Sequence, residues 1–317
     1  MKRAFRTELT WPKADFEVSY RDHICAVGSC FAENMSGLLQ QGGFSVEVNP
    51  FGILYNPVSI ADTLQLQFGE QPFPEENLVQ QGELWYSFLH HGRFAALSRE
   101  ELLDIIQAEL AKARISAKKC TKLMLTLGSS TVYEYRQSGK IVANCHKIPN
   151  NRFSKYRLTV SQCTDQLLPV LQLIKEKNPG IEIILSVSPV RHLREGFTEN
   201  QLSKSTLLLC CEELQRQLSF VHYFPAYEIM MDDLRDYRFY HADMVHPNEV
   251  ATAYIWEQFR DCFFSEETCK IHAEISDFQR MKSHRPLHPE TREFSELQQK
   301  IAEKAAELRK KYPFLPE

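Results

Sequence analysis

The sequence predicts an α/β domain built on a doubly wound, mostly parallel sheet with helices on both faces. Two observations carry this. Apolar runs alternate with amphipathic stretches from about residue 20 to residue 262. Polar residues gather directly after the apolar runs, where open α/β sheets place their ligands.

The first apolar run, Ile24-Cys25-Ala26-Val27-Gly28, is followed at once by Ser29, then by Phe31, Met35, Leu38 and Leu39 at helical spacing. This is strand, tight turn, helix, with Ser29 at the turn. There its hydroxyl stands at the sheet edge, and its N–H joins the unpaired donors of a helix N-terminus, which an oxyanion in acyl transfer needs. A serine in that place is equally a helix cap, and this stretch leaves both readings open. Gly42-Gly43 stops the helix. Phe44 to Val48 alternates as a second strand and enters the proline-bounded loop Asn49 to Pro57. Gly52 within it serves either turn chemistry or an N–H facing a ligand.

Val58 to Phe68 reads as helix, and Trp85 to Phe94 as an irregular aromatic segment, either core or a sugar-stacking surface. Ser98-x-x-Glu101 is a capping box ahead of a helix. Leu123 to Leu127 is a buried parallel strand ending at Gly128-Ser129-Ser130. A hairpin from Val132, turning at Ser138-Gly139, leads into Asn144-Cys145-His146-Lys147. A helix from about Thr159 to Lys177 precedes strand Ile181 to Val187, which ends at Ser188-Pro189-Val190-Arg191-His192. Helix Lys204 to Leu218 and strand Val221 to Phe224 follow, and a last helix opens at Pro247, a favoured first helical position. Residues 1–20 form an extended lead-in. Residues 263–290, with Pro286 and Pro289, lose the pattern, and a charged amphipathic helix from about Glu290 to Lys311 closes the chain. The expected division is a domain over 1–262 and an extension over 263–317, its helix packed on the domain or free to bind a partner.

At 317 residues, 43% hydrophobic and 25% charged, the chain is long enough to bury a substantial core. A net charge of −4 gives no general attraction to nucleic acid or anionic membrane. No apolar run reaches the length of a membrane span. The N-terminus has basic residues without the apolar core or cleavage site of a signal peptide. Nine cysteines without a CxxC pair point to reduced thiols and hence a cytoplasmic location.

The chemistry-bearing residues fall after the strands: Ser29, Gly52, Ser129, Asn144, His146, Arg191, His192, Asp243 and His246. Asp243-x-x-His246 sits on a turn before the last helix of the sheet domain. At that spacing the carboxylate can accept from the near ring nitrogen, fix the tautomer, and leave the far nitrogen to take a proton from Ser29. Cys30 is an alternative nucleophile. The histidines His90, His91, His146, His192 and His241 show no zinc-type spacing, so no metal or cofactor is expected. Arg191 suits either a substrate contact or a strand-end ion pair.

Gly28-Ser29-Cys30-Phe31-Ala32 resembles the GSCFA family, and so do Val142 to Lys147, Ser188 to His192, and Tyr237 to Pro247. That family in turn resembles the SGNH, or GDSL-type, hydrolases. The resemblance, over roughly residues 20–260, implies a flavodoxin-like three-layer α/β/α sandwich that hydrolyses esters, often acetyl esters on carbohydrates. It implies Ser29 as nucleophile, Cys30 standing where GDSL enzymes carry Asp, Gly52 as an oxyanion-hole glycine, and Asp243 and His246 as the remaining triad. The third block departs from the pattern: Gly128-Ser129-Ser130 lacks the usual asparagine, which Asn144, Ser129 or the Ser130 N–H would replace. The expected function is thus a cofactor-independent serine esterase acting on a small-molecule or carbohydrate ester. Ser29, Gly52 and Asn144 would hold the oxyanion, and Ser129, His146, Arg191 and His192 would bind substrate. An O-acyltransferase with the same triad and a non-catalytic binding module on the same fold are the alternatives.

Overall fold

Burial on two faces explains the central strands. In the computed structural model, which describes residues 7, 9, 11–283 and 291–315, β1 (His23–Gly28) leads through Ser29 into α1 (Cys30–Gln41). Then come β2 (Ser45–Val48), α2 (Pro57–Phe68), β3 (Leu78–Gln81), β4 (Leu84–Ser87), β5 (Ala95–Ala96) and α3 (Arg99–Lys119). The middle of the chain forms β6 (Lys122–Leu127), β7 (Thr131–Tyr135), β8 (Lys140–Val142), β9 (Phe153–Arg157), α4 (Val160–Lys177) and β10 (Glu182–Val187). It finishes with α5 (Phe197–Gln217), β11 (Val221–Tyr223), the short α6 (Ala226–Glu228), α7 (Glu249–Phe263), α8 (Glu266–Ser283) and α9 (Arg292–Lys311).

Five parallel strands make the main sheet in the order β11-β10-β6-β1-β2. Counted among themselves, these strands run 2-1-3-4-5, the flavodoxin-like order, so the fold is the expected α/β/α sandwich. The chain reverses direction across the sheet between β1 and β6, and Ser29 stands at the carboxyl end of β1, at that switch point. Along β1, Ile24 and Ala26 enter one core while Cys25 and Val27 enter the other, the period of two that a sheet covered on both faces imposes. Helix α1 lays Phe31, Met35 and Leu39 on the first face, and α5 lays Leu207, Cys210, Cys211 and Leu214 on the second.

Local sequence rules account for the helix starts. Ser98 accepts the Glu101 N–H at 3.1 Å, and Thr159 and Gln162 close a full capping box on α4. Several expectations need correction. Trp85 and Tyr86 lie in the antiparallel sheet β3-β4-β5 rather than an irregular segment, and the hairpin gains a third strand, β9, beside β7. Helix α5 begins at Phe197, a full two turns before Lys204. Residues 266–283, read as patternless, form α8, which buries Ile271 and Ile275 in the same core as Phe44. Phe5, Pro286, Pro289 and Glu290 lie outside the described residues. Among the described residues, no helix is long and apolar enough to cross a membrane.

Candidate active site

Ser29 occupies the N-cap position of α1 with extended backbone, φ −70° and ψ 173°, and its side chain makes no capping hydrogen bond. The residue is fully buried, and Oγ has no hydrogen-bond partner among the described residues. The serine is held from both sides. Gly28 N–H donates to Asn49 Oδ1 at 2.9 Å, Gly28 carbonyl accepts the Leu54 N–H at 3.0 Å, and Ser29 N–H donates to the Thr126 carbonyl at 3.2 Å. Asn49, buried with φ 43°, also donates through Nδ2 to Glu33 at 3.2 Å. Its role was not legible in the sequence, where Asn-Pro reads as ordinary turn chemistry.

Asp243 and His246 meet as their spacing predicts: His246 Nδ1 donates to Asp243 Oδ2 at 2.7 Å. The other carboxylate oxygen, Oδ1, accepts the Val245 and His246 N–H groups at 2.8 and 3.0 Å. These backbone donors, then the imidazole, hold the Asp243 carboxyl far below the usual carboxylate range. The turn is closed by His241 N–H on the His246 carbonyl and by a bridge between Tyr240 and Pro247. Pro247 therefore precedes the helix rather than opening it, and Asn248 caps α7 by accepting the Ala251 N–H at 3.1 Å. No hydrogen bond joins Ser29 to His246. The serine is enclosed, while the His246 side chain is 42% exposed on its turn.

The other expected site residues divide. Gly52 N–H is committed to the Asn49 carbonyl at 2.8 Å, so turn chemistry accounts for it and it presents no free donor to an oxyanion here. A Cβ there would also sit 2.2 Å from His91 Cβ, at φ +84°. Asn144 accepts the His146 N–H through Oδ1 at 2.8 Å, which leaves its amide nitrogen on the side of Gly92. His146 is buried, stacked on Tyr86 at 4.7 Å, and donates through Nε2 to the Ser87 carbonyl at 2.7 Å, contacts that tie it to the small sheets. Arg191 lies over Phe197 at 4.9 Å and Tyr240 at 5.8 Å and forms no ion pair among the described residues. Its N–H donates to the Val245 carbonyl at 3.1 Å and ties its segment to the His246 turn. The Cys30 thiol is pushed up by burial, which disfavours the thiolate a nucleophile requires.

Ser129 and His192 do line a common cleft of about 280 Å³, together with Tyr55, Tyr133, Asn200 and Ser203. Tyr55 packs edge-on to His192 at 5.2 Å and accepts the Gly128 and Ser129 N–H groups. Gly128 is required by that contact, since a Cβ would stand 2.9 Å from the tyrosine ring. Burial keeps the His192 imidazole neutral, down to about 3, with Lys204 and His246 nearby adding to the shift.

The model of the GSCFA family matches residues 23–259, most of the chain. The chain belongs to the GSCFA family. No curated protein matches this GSCFA chain in sequence. Among solved structures it is similar to a carbohydrate esterase family 3 protein from Talaromyces cellulolyticus, at 8% identity over 81% of this chain and 99% of that one, with TM-score 0.36. A family 3 carbohydrate esterase from Clostridium thermocellum follows, at 12% identity over 80% and 98%, with TM-score 0.35. A family 2 carbohydrate esterase with a carbohydrate binding domain, from Corynascus thermopiles (Myceliophthora fergusii), matches at 14% identity over 80% and 67%, with TM-score 0.38.

Lys204 on α5 is the residue that sequence reading missed; a lysine on a helix reads as solvated surface. It is fully buried, and burial lowers its ammonium to about 7. Below about pH 7 both folded and unfolded chains carry the proton, so the cost of burying the charge is fully present. As pH rises from there toward the ordinary lysine range, the folded lysine is neutral while the unfolded one still binds a proton. That cost then fades, and folding stability from this group rises. Urea midpoints at about pH 7 and about pH 10 are expected to show this rise in wild type relative to Lys204→Met; parallel pH dependences would refute it.

Proposed function

We propose that this GSCFA protein is an SGNH-like serine esterase. Ser29 Oγ attacks the ester carbonyl, forming the C–O bond of the acyl-enzyme, while His246 takes the hydroxyl proton through its far nitrogen. That proton then leaves with the departing alcohol as the original ester bond breaks, and water repeats the sequence to release the acid. The observation that carries the reading is a preformed Asp243–His246 pair together with a serine, at the sheet's switch point, whose hydroxyl does not cap its helix and has no other partner among the described residues. Closure of the exposed 240–246 turn onto bound substrate would bring His246 to Ser29; such hydrogen bonds are commonly long before substrate binds.

Ser29 N–H, on a long 3.2 Å bond to Thr126, is the backbone donor most easily redirected to an oxyanion, with the Asn144 amide as its partner. The cleft beside Tyr55 and His192 suits the alcohol half of the ester. Its hydroxyl and amide groups match a sugar, and two of its charged lining residues, Lys155 and Glu195, are paired with each other. A small acyl group, acetyl above all, fits a serine so enclosed. A hydroxyl-lined cleft equally suits a sugar acceptor, which would make the enzyme an O-acyltransferase. The full burial of Ser29 is what favours the remaining reading, a non-catalytic binding module.

Hydrolysis of 4-nitrophenyl acetate and acetylated sugars, by wild type and His246→Ala, tests the assignment. Release of acetate by wild type and its loss in the variant is the expected result; an inert wild type, or an unaffected His246→Ala, overturns it. Asp243→Asn is expected to lower kcat by about 10–10²-fold, because an amide facing Nδ1 favours the wrong tautomer on an exposed pair. Unchanged kcat in that variant would remove Asp243 from the mechanism.

A further inference from the structure

Lys204 stands beneath the candidate site and has no role in the chemistry above. Its Nζ donates to the Gly128 and Ser188 carbonyls, each at 2.7 Å, and lies 5.9 Å from the centre of the Tyr227 ring. Gly128 and Ser188 are the first residues beyond β6 and β10, the two strands on the cleft side of β1. Among the described residues Lys204 makes no ion pair, whereas fully buried lysines are ordinarily neutralised by a carboxylate. The next buried positions on α5, Leu207, Cys210, Cys211 and Leu214, are apolar or nearly so, and a methionine would continue that face without the charge.

We infer that Lys204 is a positioning residue of the Ser29–His246 site: its buried ammonium clamps the ends of β6 and β10 and supplies the positive field under the reacting centre. Both clamped carbonyls lead directly to site groups. From Gly128 the chain passes to Ser129, and the Gly128 N–H is held by Tyr55. From Ser188 it passes through Pro189 and Val190 to Arg191, whose N–H holds the His246 turn, and to His192 in the cleft. A fixed cation here favours the negative charge that develops on the acyl oxygen and disfavours a charged His192. The titratable groups around it are Cys30 from α1, His192 from the segment after β10, and Tyr227 from α6. Of these, Cys30 favours the ammonium and burial opposes it, bringing the lysine to about 7. The clamp's charge is therefore lost as pH rises through neutrality.

The kinetic part of this inference rests on the esterase reading; the field acting on His192 does not. Rates of 4-nitrophenyl acetate hydrolysis by wild type, Lys204→Met and Lys204→Arg, across about pH 5.5–9 with folding checked by circular dichroism, address the first. Lys204→Met is expected to lower kcat by about tenfold or more with KM changed less than about threefold, and Lys204→Arg to recover part of the loss. The wild-type decline through about pH 7 should vanish in Lys204→Met. Unchanged kcat, or a pH profile of the same shape, overturns the inference. Histidine NMR of Ser29→Ala with and without Lys204→Met needs no substrate. An upward move of the His192 midpoint supports the field even if no ester is cleaved, and an unmoved midpoint overturns it. If Lys204→Met does not fold, Lys204→Arg takes its place in the pH series, because a guanidinium keeps its charge there: loss of the wild-type decline through about pH 7 supports the assignment, and an unmoved decline overturns it.

Discussion

Ser29→Ala is expected to abolish ester hydrolysis, by at least about 10³-fold in kcat, while making the protein more stable rather than less. The two halves of this expectation have one cause. The Ser29 hydroxyl is fully buried, leaves its helix uncapped and has no hydrogen-bond partner among the described residues. A buried hydroxyl without a partner carries its desolvation penalty uncompensated, so its removal should return about 1 kcal/mol and raise Tm by about 2 °C. A serine kept only as a helix cap predicts the opposite: loss of about 1 kcal/mol and no effect on any reaction. Parallel calorimetry and 4-nitrophenyl acetate assays on wild type and variant separate the cases. Retained activity ends the nucleophile assignment, and a lowered Tm shows that the hydroxyl has a structural partner.

What the sequence made legible was what short spacing and alternation control. The β1–Ser29–α1 unit is one local pattern, and Asp243-x-x-His246 is a three-residue spacing on a turn, so both could be placed without knowing the fold. Direction was not legible in the same way. His146 follows β8 of a small sheet and turns inward onto Tyr86 and the Ser87 carbonyl, while Arg191 follows β10 of the main sheet and lies across Phe197 and Tyr240. A position in sequence fixes which end of the sheet a side chain occupies, not which neighbour it meets.

Long-range dependence explains the other misses. Asn49 matters through Gly28, 21 positions away, and Lys204 through Gly128 and Ser188, 76 and 16 positions away. Neither residue departs locally from a turn asparagine or a surface lysine. The small sheets were obscured because β4 and β9 carry partly exposed aromatic and charged side chains instead of a clean alternation. Helix α8 was obscured because only Thr268, Ile271, His272 and Ile275 of its length are buried, a stripe too thin to stand out among charges.

Gly28→Ala should have the largest effect on stability, more than about 4 kcal/mol, with little folded protein recovered. Glycine is demanded here twice. The backbone has φ +146°, which L side chains rarely adopt, and a Cβ would lie 2.2 Å from the Thr126 carbonyl oxygen and 2.9 Å from Thr126 N and C. Those are backbone atoms of β6, so no rotamer change relieves the overlap. Moving β1 away would break the Ser29–Thr126 bond and disturb the pairing on which both Asn49 and Leu54 hold Gly28. Gly37→Ala is the matched control: it lies inside α1 with open space around it and should gain about 1 kcal/mol from helix propensity. Soluble yield and urea midpoints of the two variants give the comparison, and a Gly28→Ala protein with a wild-type midpoint would refute the packing account. The contrast explains why this serine needs this glycine. The strand must approach β6 more closely than any side chain permits, and that approach sets Ser29 against Thr126 at the mouth of the sheet, where the proposed chemistry begins.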